Sequence, residues 1–358
     1  LKTAIITGVH GQDGSYLAEF LLAEGGYKVV GVARRTSSPA DWRVRQLYSN
    51  SNFSVVRGDV TDALCIHRII EREGGETDLL EVYNLAAQSH VGDSFKEPSH
   101  TTDVVYKGAL NCLEALRNIS VSPSTQKRFY QASSSEMFGS AYSARWTPKQ
   151  GPFQYHSITI HEKIEDMFEE VRYQNEQTPF SPASPYAVAK LAAHHLTRIY
   201  REAYGLYACC GILHNHESAR RSPEFVTRKI TSYIGRLVRQ ETSEKLKLGN
   251  LDAKRDWGHA RDYVRGMWLM LQQATPADYV LATGETHSVR DFLAEAFSCV
   301  GLRWEDHVEI DKSLFRPSEV PYLRGDASLA CEKLGWTPTV SFRELVRQMV
   351  EADLRAQS

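Results

Sequence analysis

Thr3-Ala4-Ile5-Ile6-Thr7-Gly8-Val9-His10-Gly11-Gln12-Asp13-Gly14, continued by Ser15-Tyr16-Leu17-Ala18-Glu19-Phe20-Leu21-Leu22, changes its patterning twice. Thr3 to Thr7 is a β-branched apolar run of strand length. Gly8 to Gly14 brings three glycines in the spacing GxxGxxG. From Ser15 onward Tyr16, Leu17, Phe20, Leu21 and Leu22 fall at helical period. Strand, glycine turn and helix make the opening unit of a nucleotide-binding α/β domain. The glycines let the backbone turn tightly and approach a pyrophosphate, while free N–H groups and the dipole at the helix start favour an anion. Gly8, Gly11 and Gly14, with Gln12 and Asp13 between them, are therefore candidate cofactor-binding residues. The spacing departs from the usual GxGxxG, so the strand–turn–helix context carries this reading.

Working outward, Lys28 to Ala33 reads as a second strand. About twenty residues past the glycines an NAD-binding unit places an acid on the ribose 2′-hydroxyl. Here that place holds Arg34 and Arg35, followed by Thr36, Ser37 and Ser38. Two guanidinium forks and small hydroxyls suit a 2′-phosphate by charge and bidentate geometry. Arg34, Arg35 and Ser37 thus point to NADP; the alternative is an exposed basic loop. The alternation continues with a strand near Phe53 to Arg57, a helix from Asp62, a strand Leu80 to Tyr83, a helix near Val104 to Leu116 and a strand Arg128 to Ala132. Such alternation predicts an α/β fold, a Rossmann doubly wound parallel sheet, with ligands at the carboxyl ends of its strands. Asp59, Val60, Leu85 and Ala86 sit at such ends and are expected to line the adenine and ribose.

The strand ending at Ala132 runs into Ser133-Ser134-Ser135-Glu136, and Ser184-Pro185-Tyr186-Ala187-Val188-Ala189-Lys190 follows downstream. Tyr186 and Lys190 lie one turn apart on a helix predicted over Tyr186 to Tyr200. Together Ser134, Glu136, Tyr186 and Lys190 offer a hydroxyl, a carboxylic acid, a phenol and an ammonium. Free tyrosine titrates near 10, and bringing it to about 7 needs roughly 4 kcal/mol of phenolate stabilisation. A nearby Lys190 ammonium and a nicotinamide cation could supply that jointly. On this reading Tyr186 is a general base for a sugar hydroxyl and Lys190 tunes it.

Composition limits the rest. With 42% hydrophobic and 24% charged residues, the 358-residue chain is that of an ordinary globular protein with a large core. A net charge of −2 suggests no nucleic-acid or membrane surface. The longest apolar runs are strand-sized and no signal-peptide pattern opens the chain; Leu1 in first place suggests a removed initiator methionine. Cys65, Cys112, Cys209, Cys210, Cys299 and Cys331 lie scattered without zinc-ligand spacing. They read as buried thiols in a reducing compartment, so the expected location is cytoplasmic. The cluster His214-Asn215-His216-Glu217 could be taken for a metal site, but it lacks a distant third-ligand pattern, and no metal is expected.

The glycine turn with Tyr186-x-x-x-Lys190 resembles the extended short-chain dehydrogenase/reductase superfamily. GQDGSYLAEFLL (Gly11 to Leu22), RFYQAS (Arg128 to Ser133), NHES (Asn215 to Ser218) and FVTRKI (Phe225 to Ile230) narrow this to a resemblance to the GDP-mannose 4,6-dehydratase family. LGNLDAKRDWGHARDYV (Leu248 to Val264) and RPSEV (Arg316 to Val320) do the same. The resemblance implies an NADP-binding Rossmann domain over 1–210. It also implies a smaller α/β lobe over 211–358, mainly for the nucleotide sugar, with some segments returning to the first domain. The implied substrate is GDP-mannose, in a homodimer or homotetramer. It gives Ser134, Glu136, Tyr186 and Lys190 the catalytic roles, with Ser134 where the family usually has threonine. Ser89, His100, His216 and Arg221 are implied to hold the cofactor. Asn215, Lys229, Arg255, Arg316 and Glu319 are implied to surround the nucleotide diphosphate and ribose, where cations clamp a pyrophosphate and a carboxylate accepts from hydroxyls.

The chain departs from the family's pattern in places. The residues flanking NHES are His214 and Ala219 instead of phenylalanine and proline, and His100 replaces a tyrosine beside the nicotinamide. The connection from Glu136 to Tyr186 is longer than the family's, with an inserted segment at about 144–173. Within it Ile160, Ile164, Met167, Phe168 and Val171 form a helical stripe, predicting an amphipathic helix over Ile160 to Tyr173 that packs as a rim, lid or subunit contact. Rival functions on the same body are a 4-keto-6-deoxy-sugar reductase, a nucleotide-sugar epimerase and a non-catalytic NADP-binding protein.

Overall fold

The computed structural model describes residues 1–36, 41–75, 77–148 and 168–356. Its centre is a seven-stranded parallel sheet. Five strands come from the first part of the chain: β1 (Lys2–Thr7), β2 (Tyr27–Ala33), β3 (Phe53–Arg57), β4 (Leu79–Asn84) and β5 (Gln126–Ser134). With the later strands Tyr207–Leu213 and Tyr279–Leu281, the order across the sheet is 279–281, 207–213, β5, β4, β1, β2, β3. β1 is flanked on both sides, Ile5 opposite Val30 of β2 and opposite Val82 of β4. Burial on both faces explains why its apolar run does not alternate with polar residues.

Successive β1 side chains nonetheless serve different cores. Ala4 and Ile6 join Leu17 and Leu21 of the first helix, α1 (Gln12–Glu24), and Val264, Met267 and Leu271 of the helix Ala260–Leu271. Ile5 faces the other way, into Val30, Val82, Leu113, Leu116 and Phe129. The helix Ala260–Leu271 and the strand Tyr279–Leu281 thus complete the sheet built by the first part of the chain. A separate core gathers Ile230, Ile234, Trp257, Phe292, Leu293, Val346 and Met349 from the helices Val226–Val238, Val289–Ser298 and Phe342–Arg355 and the strand Trp257–His259.

The stripe over Ile160 to Tyr173 is not a helix where it is described. Phe168–Tyr173 is a strand, paired antiparallel with Ser143–Pro148 so that Ser143 faces Tyr173 and Arg145 faces Val171. Ile160, Ile164 and Met167 lie outside the described residues. Tertiary pairing overrides the helical period: the strand sets Glu170 and Arg172 on one side, where they form an ion pair at 2.9 Å. The ribbon is fastened to the C-terminal part by Gln174, whose N–H donates to Arg324 O at 2.8 Å and whose carbonyl accepts from Asp326 N at 2.8 Å. Gly139, at φ +56°, lets Ser181 O approach where any Cβ would collide, so the chain leaving Glu136 packs directly under the approach to Tyr186.

The cysteines also depart from expectation in part. Cys112, Cys209 and Cys210 are buried, but Cys65 is only half-buried, and Cys299 and Cys331 are exposed because they sit on outer faces of amphipathic helical segments. Among the described residues no helix is long and apolar enough to cross a membrane.

Asp256, fully buried beside Arg255, ties together the segments around Thr283 and Gly325. Its carboxylate accepts from Thr283 N (2.8 Å), Thr283 Oγ1 (2.7 Å), Gly284 N (2.9 Å) and Gly325 N (3.1 Å). Asp256→Ala strands several buried donors at once and should cost about 3 kcal/mol or more. Chemical denaturation of the purified protein measures this, and a loss under about 1 kcal/mol would mean that water replaces the carboxylate without strain.

Candidate active site

A cleft of about 1640 Å³ runs across the carboxyl ends of the sheet strands, large enough for two ligands end to end. It crosses the point between β1 and β4 where the strand order reverses, the expected ligand position in such a sheet. At its floor Gly8 has φ +72°, and a Cβ on Gly14 would stand 2.5 Å from Gly8 O. α1 starts at Gln12 with Gly11 as its N-cap and no side-chain cap. The first N–H groups of the helix are therefore left to a ligand, and the cradle fits a dinucleotide pyrophosphate.

Gln12 and Asp13, expected to hold the cofactor, are engaged with the second half of the chain. Gln12 Nε2 donates to His216 O at 3.0 Å, and Gln12 Oε1 accepts from Ser218 Oγ at 2.7 Å. His216 Nε2 meets Asp13 Oδ2 at 2.8 Å, while His216 Nδ1 faces His214 O at 2.8 Å. Both ring nitrogens face acceptors, which only the doubly protonated ring satisfies. Burial pulls the His216 pKa down, but the charge and hydrogen bond of Asp13 outweigh it and raise it. Burial likewise opposes ionisation of Asp13, and His216, Gln12 and Arg221 outweigh it, lowering its pKa. The imidazolium also stacks on Tyr263 at 4.5 Å. Arg43, which no sequence pattern marked, adds a second tie: it donates to His10 O at 3.0 Å and Arg220 O at 2.8 Å.

The cofactor residues spread along the cleft. Asp59, Val60, Leu85, Ala86 and Ser89 line it with the glycine turn, His216 and Arg221. Arg34 lines it as well, but Arg35 is exposed and outside the lining, and Ser37 lies outside the described residues. His100 lines the cleft as well, on the short helix Pro98–Thr102. Asp59 has its pKa lowered against burial by the Thr61 hydrogen bonds, with Arg34 and His100 adding to them.

At the other end, Ser134 closes β5 and its hydroxyl accepts from Glu136 N at 3.2 Å, which sets Glu136 on the first turn beyond the strand. Tyr186 and Lys190 lie on the helix Pro185–Tyr204. Ser184 caps it, accepting from Ala187 N at 3.1 Å, and Pro185 presets its first residue. The tuning expected of Lys190 is absent within the protein alone. Its ammonium donates to Ala132 O at 2.7 Å and lies 5.8 Å from the Tyr186 ring centroid. Burial pushes the Tyr186 phenol up to about 12, with Ser134 pulling the other way, and pushes Lys190 down to about 8. Desolvation is the largest cause for both groups.

The second lobe supplies the opposite wall. Arg255 donates to Glu319 Oε1 at 2.9 Å and to Val320 O at 2.7 Å. Arg316 lies 3.7 Å from Glu319 and 3.9 Å from Glu136. The line Glu136, Arg316, Glu319, Arg255 thus crosses the cleft, and Asn215 and Lys229 line it alongside. His214, His216 and Glu217 do not converge: Glu217 pairs with Arg221 at 3.0 Å and accepts from Thr227 Oγ1 at 2.7 Å. Buried His214 stacks against Phe138, its two nitrogens without a hydrogen-bond partner, and burial pushes it down to about 3.

The His216–Asp13 pair has a defined pH window. A raised histidine pKa stabilises below the unfolded value and is lost as pH rises through the folded one; a lowered aspartate pKa stabilises above its unfolded value and is lost on acidification. The pair is therefore strongest in the weakly acidic to neutral range. In Asp13→Asn, burial should dominate and bring the His216 pKa below that of free histidine. NMR titration of the ring Cε1–H reads this directly, and an unchanged value would mean that Asp13 is not what charges the ring.

The family model described as GDP-mannose 4,6 dehydratase matches residues 5–157 and 167–349, and the interval it skips falls inside the 144–173 stretch. An Arabidopsis thaliana protein named GDP-mannose 4,6 dehydratase 1 is 50% identical over 99% of this chain and 90% of its own. The Homo sapiens GDP-mannose 4,6 dehydratase is 44% identical over 99% of this chain and 91% of its own. Among solved structures, a dTDP-glucose 4,6-dehydratase from Streptomyces venezuelae with NAD bound superimposes with a TM-score of 0.77. The two share 21% identity over 98% of this chain and 96% of that one. A Pseudomonas aeruginosa structure complexed with NADPH gives a TM-score of 0.72 at 18% identity, over 99% of this chain and 100% of that one. These distant structures share the fold, and the closer sequences, with the family model, decide the family: the chain belongs to the GDP-mannose 4,6-dehydratase family.

Proposed function

We propose that this protein is a hydro-lyase that converts GDP-mannose to GDP-4-keto-6-deoxy-mannose with NADP as a resident cofactor. The observation that carries the reading is Glu136, which lines the cleft with Tyr186 and whose backbone N–H donates to Ser134 Oγ at the end of β5. An elimination needs such a group, whereas a 4-keto reductase or an epimerase does not. A nicotinamide held in this cleft would supply reversible hydride exchange with the sugar and, when oxidised, a positive charge to the site. Tyr186 takes the O4 proton while Ser134 holds O4 by its hydroxyl. The C4 ketone acidifies the C5 hydrogen; Glu136 removes that proton and delivers it to the departing C6 hydroxyl, so that water leaves. A proton then reaches C5 as hydride arrives at C6, and Tyr186 gives up the proton it took from O4. Every group thus ends in its starting state, and the net change is loss of water. Each placed proton transfer is worth about 10²- to 10⁴-fold.

NADP is favoured over NAD because the loop after β2 presents Arg34 to the cleft where an NAD-binding unit has an acid. Arg255 and Lys229 supply charge for the diphosphate, with Arg316 released from Glu136 to join them, and Asn215 and Glu319 suit the ribose. On this reading 1–210 is the cofactor domain and 211–358 mainly the sugar-nucleotide lobe, in a dimer or tetramer.

Incubation with GDP-mannose and a trace of NADP⁺, followed by mass spectrometry, should show loss of one water without net NADPH. A mass-neutral product would indicate epimerisation, and NADPH consumption a reductase. Glu136→Gln should slow water loss at least about 10²-fold with NADP still bound. Near-normal dehydration by that variant would remove Glu136 from the reaction.

Replacing Arg34, the arginine of the pair that lines the cleft, by alanine should weaken NADP about ten- to a hundredfold while NAD changes little, since one charge-assisted bond to a phosphate is worth roughly 1.5–3 kcal/mol. Fluorescence titration with both cofactors decides it; equal losses would mean that this loop does not read the 2′-phosphate.

A further inference from the structure

His90 lies at the end of the loop after β4, caps the short helix Val91–Ser94 and lines the cleft, yet the proposed chemistry does not use it. It belongs to the first part of the chain but meets the second lobe: its ring stands edge-on to Phe225 at 5.7 Å and 82°, and Arg221 lies over the same Phe225 ring at 3.5 Å. Its Nδ1 accepts from the Asp93 N–H at 3.3 Å and also lies 3.0 Å from Asp93 Oδ2. The first contact needs a bare Nδ1 and the second a protonated one, so the pocket has a partner ready for either state of the ring. The side chain keeps about a third of its surface open to the cleft.

The charges facing His90 come from three sides. Asp93 is on its own loop, itself shared with Lys96 at 3.6 Å. Lys229 and Glu224 approach from the segment around Phe225, and Arg316 from the far wall. Burial, Arg316 and Lys229 hold the ring below the ordinary histidine value, and Asp93 opposes them. Lys229 and Arg316 are the cations placed above around the substrate diphosphate. A diphosphate seated between them would cancel the repulsion that keeps His90 neutral and leave Asp93 as its dominant neighbour.

Resting on the proposed substrate class, we propose that His90 is a third member of the diphosphate cradle, taking up a proton as a nucleoside-diphosphate sugar binds between it, Lys229 and Arg316. The two lobes then close on the substrate through a charge that exists only in the complex. Being partly solvated, that charge is worth about three- to tenfold in affinity.

The test is calorimetric binding of GDP-mannose to the NADP-loaded protein in a Tyr186→Phe background, which prevents turnover, in buffers of differing ionisation enthalpy. A diphosphate diester has no proton of its own to exchange near neutral pH. Binding near pH 7 should take up a fraction of a proton. His90→Gln should abolish that uptake and weaken GDP-mannose about three- to tenfold at pH 6, with a smaller loss at pH 8. His90→Lys, a standing cation, should restore affinity without proton uptake. NADP affinity should be unchanged in both. Binding without linked protonation, uptake that survives in His90→Gln, or failure of lysine to rescue would each overturn the inference while leaving the substrate reading intact. A parallel loss of NADP affinity would assign His90 to holding its loop and overturn it too. Absence of GDP-mannose binding altogether would instead sink the substrate reading, and this inference with it.

Discussion

The tie between the glycine turn and the strand Asn215–Glu217 is the constraint on which the rest of the cleft depends. Asp13 and Gln12 belong to the first turn of α1, and His216 and Ser218 to a segment about two hundred residues later. Asn215–Glu217 pairs in parallel with Trp257–His259, and that strand follows Arg255 and Asp256. The cofactor cradle and the substrate-side arginine are thus joined through a buried ion pair and one short ladder. Breaking such a pair on one side leaves an uncompensated charge, which is why buried pairs hold geometry even where their net stabilisation is small.

The wall opposite Tyr186 is built on a different electrostatic plan. Glu136, Arg316, Glu319 and Arg255 alternate in sign across the cleft, and the outer contacts, 3.7 and 3.9 Å, are looser than the 2.9 Å bond between Arg255 and Glu319. Arg255 is fixed by the Val320 carbonyl and its buried neighbours, whereas Arg316 is held only by two distant carboxylates. The fixed member can preorganise the site and the loose one can exchange partners when phosphate arrives, because a bidentate phosphate contact is stronger than either long ion pair.

The phenol shows what positioning alone does not accomplish. Placing Tyr186 in an apolar pocket with Val91, Val105 and Ala189 fixes its ring but raises its pKa, while Lys190 directs one of its N–H groups to the Ala132 carbonyl. On the proposed reading, local positive charge has to outweigh that burial at the moment of proton transfer, and an oxidised nicotinamide in the cleft would supply it.

Whereas the strands Tyr207–Leu213 and Tyr279–Leu281 joined the sheet only in the fold, the amino-acid sequence by itself determined its first five strands, the helix carrying Tyr186 and the glycine cradle. Each follows from a local rule: β-branched runs make strands, Ser184-Pro185 starts a helix, and a glycine turn between strand and helix leaves N–H groups free. Glu136, Ser134 and the lobe's arginines were legible because their neighbours form long family motifs. The strand Phe168–Tyr173 was misread as helix because its period is ambiguous over six residues and its pairing partner Ser143–Pro148 is distant in the chain. The same limit hid Arg43 and the pairing of Asp13 with His216. Which charged group meets which, and hence which proton is held where, depends on contacts between segments far apart in sequence. Burial changes those energies by more than the groups' intrinsic chemistry does, and burial is decided only when the chain has folded.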